Sequence, residues 1–360
     1  MVPDGRHWSS ILRVSDDRGT APRLAGERRE AIAALARMHG VVRVSELADR
    51  YGVSHVTIRR DISALVDRGA LTRIHGGARS TAGMVRAAAG DDQVRIGVIL
   101  PASRYYFREL LEGIREGAAR AGIAVVLAIS EYDDGEERRL FERMLRAKVA
   151  GVLLATAAAE PETGWLDSSP VPVVLVERAG PDFDHARSDH EDGARIAVAH
   201  LVARGHERIM LAACSTTPTA ARLLAGYRAE LAAAGRDLLE PFDLPGEDAS
   251  PTGRRARLHD LLRACAQQRA SALILHPEGF ALPLLEAAED RAVAVPADLA
   301  LVTYDDELAE FASIPLTAVQ PPKRDVGSIA VDVLVRRLTR PGVARQRVTL
   351  LPRLVVRESS

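Results

Sequence analysis

A chain of 360 residues is too long for one ordinary core, so two or three domains are expected. Its 47% hydrophobic and 27% charged residues are those of an ordinary soluble protein, and no unbroken apolar run approaches a membrane span. A formal net charge of −1 argues on its own against a nucleic-acid partner, and with aromatics at 4% the core must be built from Ala, Leu and Val.

Residues 1–26 are polar and charged, without the apolar centre of a signal peptide, and are expected to form a loose tail on a protein that stays in the cytoplasm. The charge is not spread evenly. Residues 27–79 hold ten arginines against six acids, so a basic module sits on a mildly acidic remainder, the footprint of a DNA-binding head. The pattern predicts helices over 28–38, 45–51 and 54–68, then a small basic hairpin over 71–78. Gly52 permits the tight turn between the second and third helices, where positive φ is expected. Ser54 is a good N-cap, and Val53, Ile58, Ile62 and Leu65 fall on the face that packs inward.

That leaves His55, Thr57, Arg59, Arg60 and Ser63 outward on the third helix. The N-terminal half of a recognition helix meets base edges, so His55, Thr57 and Arg59 or Arg60 are candidate readers, with Arg43 and Ser54 beside them. Arginine suits the O6 and N7 of guanine because its fork donates two bonds, but it suits phosphate equally well. Arg73 and His75 of the hairpin are placed to touch backbone or minor groove, with Gly76 and Gly77 at its tip or simply ending the domain. Residues 80–93, small and polar, suit a flexible linker.

From residue 94 the texture changes. Apolar runs at 94–100, 123–129, 150–156, 171–177, 208–213, 271–276 and 299–304 alternate with amphipathic helical stretches. Continuous apolar strands between such helices mean parallel sheets covered on both faces, and there are too many units for one small sheet. The expected class is therefore α/β: a winged helix-turn-helix, then a two-lobed domain, each lobe a mostly parallel sheet flanked by helices. Cys214 and Cys265 are far apart and read as reduced packing residues. No nucleophile elbow, phosphate-binding glycine loop or metal-ligand spacing is visible, so neither an enzyme nor a cofactor is expected.

Two resemblances sharpen this. The segments SELADRYGVS, TIRRD and RIHGGA carry a specific likeness to the winged helix-turn-helix of the DeoR family, which implies a bacterial transcription regulator, most often a repressor. Residues of roughly 94–358 resemble the LacI/GalR regulators, through SDHEDGARIAVAHLVARGHERIMLAA, ARLLAGYRAELAAAG, LALVTYDDELAEF and LTAVQPPKRDVGSIAVDVLVRRL. That likeness implies a fold of the periplasmic-binding-protein type, with one lobe over about 94–176 and 321–348 and the other over about 177–320 and 349–360. The chain would cross between lobes near Glu177, Gln320 and Val348.

Ligands of open α/β lobes bind beyond the carboxyl ends of strands. Ser103, Tyr105, Tyr106 and Phe107 follow the first strand; Glu177 and Arg178 end another; Asp189 opens a helix; Asp305 ends a later strand. A sugar suits such a set, since its apolar face stacks on aromatics while its hydroxyls need fixed polar partners. In the resembled family the positions of Arg195 and Asp305 contact the effector, and a guanidinium or a carboxylate binds vicinal hydroxyls in bidentate fashion. Arg222 and Gln320 are further pocket candidates. Arg195 equally fits a surface arginine, and Asp305-Asp306 a solvated strand-end turn. The chain departs from the family where Pro277-Glu278 replaces a common Asn-Asp and Thr303 a common Gly; no hinge helix is visible in 80–93. The reading is a DNA-binding regulator, homodimeric on an operator and answering to a small carbohydrate-like effector. A sugar-binding sensor with another output is the alternative.

Overall fold

The computed structural model describes residues 25–39, 41–67, 71–74, 77–80, 93–102, 106–157, 163–246 and 250–360. The chain divides into two compact units, Met1–Val85 and Arg86–Ser360.

The first unit holds helices α1 (Ala25–His39), α2 (Val44–Tyr51) and α3 (His55–Asp67), with strands β1 (Val41–Arg43), β2 (Leu71–Ile74) and β3 (Gly77–Ser80) in an antiparallel sheet of order β1-β3-β2. Gly52 ends α2 in the left-handed region at φ 61°, so α3 can turn away at once. Ile58, Ile62 and Leu65, at helical spacing, bury one face of α3 against Ile32 and Ala36 of α1 and Leu47 of α2. Asp61, 2% exposed, lies on the same side and accepts from Arg28 Nε at 2.6 Å and Arg29 Nε at 2.9 Å, fastening α3 to α1. Two of the ten arginines counted for the head are thus spent internally. Gly77 is not a hairpin tip. It pairs with Ile74 and with Arg43 inside the sheet, where a side-chain carbon would collide with the Val42 carbonyl. His75 and Gly76 lie outside the described residues, as do Ser103, Tyr105 and most of the expected tail and linker. The helix α1 begins at Ala25, inside the expected tail.

The second unit opens with β4 (Arg95–Leu100), α4 (Tyr106–Arg120), β5 (Ala124–Ile129), α5 (Asp134–Arg146), β6 (Val152–Leu154), β7 (Val173–Val176) and β8 (Asp184–Ser188). It continues through α6 (His190–Ala203), β9 (Ile209–Ala213), α7 (Ala220–Ala233), β10 (Phe242–Asp243), α8 (Pro251–Gln267), β11 (Ala272–His276), α9 (Ala281–Glu289), β12 (Ala300–Tyr304) and β13 (Thr317–Gln320). It closes with α10 (Lys323–Thr339), β14 (Arg347–Leu350) and β15 (Arg353–Val355).

Two six-stranded sheets result. The first, of order β14-β8-β7-β6-β4-β5, is parallel throughout; the second, β10-β9-β11-β12-β13-β15, is parallel except for β15. Central strands such as β7, β11 and β12 are buried at every position because helices cover both faces. The chain passes between sheets three times. The sequence places the first crossing near Glu177, but β8 adds to the first sheet beside β7, so the crossing follows Ser188. The second follows Gln320. The third is expected at Val348, yet Val348 pairs with Ala186 inside β14, and the chain leaves at Leu351-Pro352. No helix among the described residues is long and apolar enough to cross a membrane.

Candidate nucleic-acid interface and effector cleft

On α3 the start of the helix is set by Ser54. Its Oγ accepts from the Thr57 backbone N–H at 3.2 Å and shares a 3.0 Å hydrogen bond with the Thr57 hydroxyl. Ser54 and Thr57, both candidate DNA contacts, therefore spend their hydroxyls on the cap. His55, Arg59 and Arg60 stand exposed, and Arg43 is exposed with only a loose 4.0 Å approach to Glu46. Arg73 occupies β2, opposite Ala78.

In the second unit a cavity of about 720 Å³ opens between the carboxyl ends of the two sheets. Tyr106 and Phe107, at the start of α4, form an edge-to-face aromatic wall, ring centroids 5.5 Å apart. Its floor is a buried polar network. Glu177, just past β7, accepts from Ser188 N at 3.0 Å and Ser188 Oγ at 2.9 Å, and His190 Nε2 stands 3.6 Å away. On its other side the His190 ring shares a hydrogen bond through Nδ1 with the Tyr304 hydroxyl, 3.0 Å away at the end of β12. The network thus joins the lobes: Glu177 and Tyr106 belong to the first, His190 and Tyr304 to the second. Burial alone would push the Glu177 carboxyl up. The hydrogen bond and charge of His190, with bonds from Tyr106 and Ser188, outweigh it and hold the group down at about 2. Gly193, one turn into α6, lets this happen, since a side-chain carbon there would collide with the Tyr304 ring.

A second group adjoins this network. Asp305 follows Tyr304 and lines the cavity; Lys323, at the start of α10 and 4% exposed, lies 3.0 Å from Asp305 Oδ1 and 3.0 Å from Glu307 Oε1. The Lys323 ammonium also stands 4.5 Å from the centroid of the Tyr106 ring. Burial works against the charged lysine, but Asp305 and Glu307 prevail and its pKa is raised. Glu177 and Asp305 both occupy left-handed backbone, at φ 56° and 83°. Such strain costs on the order of 1–3 kcal/mol per residue and persists only where neighbours over-determine it. Arg178, buried against the cavity, donates from Nε to the Thr156 carbonyl at 3.0 Å and from Nη1 to the Glu177 carbonyl at 2.9 Å. Chemically, the cleft offers fixed carboxylates, an anchored guanidinium and an aromatic wall, a set suited to a polyhydroxylated ligand.

Comparison with known proteins agrees with the two-unit architecture. Residues 28–82 match the DeoR-like helix-turn-helix domain, and residues 198–360 the periplasmic binding protein-like domain. The ribose operon repressor of Escherichia coli is 32% identical over 279 residues, 74% of this chain and 82% of that protein. This chain belongs to the LacI family of transcriptional regulators. Among solved structures, the transcription regulator GntR of Chromobacterium violaceum is 28% identical with a TM-score of 0.62, over 74% of this chain and 99% of that one. A LacI family regulator of Enterococcus faecium, solved with bound ribose, shares the fold at 19% identity and a TM-score of 0.62, over 74% and 98% of the two chains.

The LacI-family cleft of this chain brings together Tyr106, Phe107, Glu177, Arg178 and Asp305 of the sequence-predicted set. Four others stand elsewhere. Asp189 caps α6, accepting from Asp192 N at 3.1 Å. Arg195 is exposed and pairs with Asp192 at 2.5 Å and Glu230 at 3.1 Å; five residues on from His190, it points about 140° away from the cleft side of the helix. Gln320 is a strut at the second crossing, donating to Asp306 Oδ2 at 3.0 Å and accepting from Arg353 Nε at 2.6 Å. Arg222 is half-buried and not part of the cavity lining; burial, with Arg187 nearby, lowers its pKa. His190, His276, Glu278 and Lys323 were not legible as site residues. Glu278 takes the backbone N–H groups of Glu307 and Ala309 at 2.9 and 2.8 Å, so the departure at 277–278 holds the loop that carries Asp305.

Proposed function

We propose that this LacI-family regulator is a cytoplasmic, homodimeric repressor whose α3 face grips operator DNA and whose cleft takes a sugar or sugar derivative as effector. Tyr106 and Phe107 would stack on the ring, and Asp305 and Arg178 would bind its hydroxyls. The observation that carries the reading is Asp305: a nearly buried carboxylate on left-handed backbone, 3.0 Å from the Lys323 ammonium, lining the same cavity as Tyr106 and Phe107. The resemblance to a ribose operon repressor supports the carbohydrate class. A symmetric dimer implies a two-fold related operator, and lobe closure on the ligand would change how the pair of heads engages it. A coupling of about 1–3 kcal/mol shifts DNA affinity roughly 5- to 150-fold.

The test has two arms. Full-length protein is first used to select duplexes from a randomised library, and binding is followed by fluorescence anisotropy as salt is raised. Affinity should fall steeply with salt as phosphate contacts are screened. Pentoses, hexoses and their phosphates are then screened for a rise in melting temperature and for a change in DNA affinity. Sugar binding without any DNA binding would favour a sensor with another output; no stabilisation across the panel would refute the carbohydrate assignment.

A further inference from the structure

One exposed residue of α3 has no partner in the chemistry described so far. Val56, the second residue of the helix, is 59% exposed and is not among the residues packed into the core of the first unit. A lone apolar residue on a surface is ordinary. Its place here is not. Val56, Arg59, Arg60 and Ser63 fall at i, i+3, i+4 and i+7, which puts them on one face of the helix, opposite the buried Ile58, Ile62 and Leu65. The face that carries the exposed arginines therefore starts, at its N-terminal end, with a branched hydrocarbon. That is the end of a recognition helix that meets base edges.

The polar residues around it narrow its role. Ser54 and Thr57 bond to each other and to the helix start, which ties both hydroxyls to the cap. Arg59 and Arg60 can donate to guanine or phosphate, and His55 can donate or accept. None of these three recognises an apolar group, which leaves the exposed Val56 ahead of the half-buried Thr57 methyl. In the major groove the thymine 5-methyl is the apolar feature that base pairs display, and it separates T·A from C·G. We propose that Val56 is a specificity-determining residue that packs on the 5-methyl of one thymine in each half-site. The inference rests on the reading of α3 as the DNA-contacting helix and adds to it the base that this position selects.

The test uses the full chain and the duplexes it selects from a randomised library. Each thymine of a selected duplex is replaced singly by deoxyuridine, which removes only the methyl group. Anisotropy should reveal one thymine per half-site whose methyl is worth about fourfold in affinity, the factor expected for burying one methyl-sized group (about 0.8 kcal/mol). Val56→Ser should bind thymine and uracil duplexes equally, with an affinity near that of wild type on uracil, and its own selected sequences should lose the preference for thymine there. Val56→Thr, which keeps a branched methyl, should retain the sensitivity. Circular dichroism and the melting temperature confirm that each variant is folded. Equal binding of thymine and uracil duplexes by wild type overturns the inference, as does a sensitivity that persists in Val56→Ser, since another residue then reads the methyl. In either case DNA binding itself stands. If no sequence is selected at all, the reading of α3 fails and this inference with it.

Discussion

Replacing Lys323 by Met tests the charge balance of the cleft directly. The ammonium is 4% exposed and lies 3.0 Å from each of two carboxylates, Asp305 and Glu307, whose side chains are 13% and 14% exposed. Removing one partner of a buried ion pair costs about 3–5 kcal/mol, because the other charge is left uncompensated. Both carboxylates keep a little solvent, which favours the lower end, while loss of the Tyr106 ring contact adds to it. About 3 kcal/mol is expected at neutral pH, or roughly 6–12 °C in the melting of a unit of this size. The deficit should shrink on acidification. In the variant two facing carboxylates lack a cation, and a proton shared between them relieves the repulsion. Wild type should show the converse at high pH: the lysine pKa is raised in the fold, so its stabilisation is complete below the unfolded value of 10.5 and is lost as pH rises beyond that toward the folded value. Scanning calorimetry at pH 5, at neutral pH and above pH 10.5 measures both effects. The double variant Lys323→Met with Asp305→Asn should recover part of the loss. A variant as stable as wild type, or a deficit unchanged at pH 5, would refute the account.

Three further outcomes follow from the same geometry. Asp61→Asn should destabilise the head by about 3–5 kcal/mol, since Arg28 and Arg29 lose their shared carboxylate, and DNA binding should fall with the folded fraction in a denaturant titration. His276→Gln should flatten the acid limb of stability. Burial depresses the His276 pKa to about 4 from 6.5, so wild type loses about 3 kcal/mol as pH falls from 6.5 to 4, and urea melts of the variant should lack that loss. Arg195→Ala should leave effector binding unchanged within twofold, whereas Asp305→Asn should weaken it at least tenfold by isothermal titration. A large loss in Arg195→Ala would show that the exposed Asp192–Arg195–Glu230 cluster rearranges when ligand enters.

Apolar pattern made most of the fold legible. Strands β4, β7, β11 and β12 are built mainly on buried Val, Ile, Leu and Ala, and helices such as α4 and α6 between them carry one buried face each. Five strands of the second unit escaped, β8, β10, β13, β14 and β15, and the one that matters most for the cleft is β8, written Asp-His-Ala-Arg-Ser. Its Asp184 and Ser188 are buried yet satisfied: Asp184 takes two bonds from Arg337 at 2.9 Å, and Ser188 bonds to Glu177. Periodicity does not register a strand whose burial is met by partners 11 and 153 residues away, and the misplaced first crossing follows from that. The cleft behaves likewise. Asp305 and Phe107 are visible as strand-end and helix-start residues, but His190, Tyr304 and Lys323 become a network only where β7, α6, β12 and α10 converge. Arg195 misleads for the opposite reason, since one of its carboxylate partners comes from α7.

The replacement of Asn-Asp by Pro277-Glu278 changes what the cleft must do. Proline offers no donor, and the Glu278 carboxylate, 3% exposed, is spent on two backbone N–H groups of the 305–309 loop. Burial nonetheless pushes its pKa up to about 7, so the fold tolerates its charge rather than exploiting it. Glu278 thus lines the cleft with both of its oxygens already engaged by the loop that follows Asp305. On the proposed carbohydrate reading, the discrimination among hydroxyls would then fall on Asp305, held by Lys323 and by the Glu278-anchored loop, together with Arg178. A site built this way rejects a sugar lacking the matching hydroxyl chiefly through the cost of leaving a fixed carboxylate unpaired. It should therefore distinguish a sugar from its deoxy analogue more sharply than it distinguishes two sugars that both present a hydroxyl to Asp305.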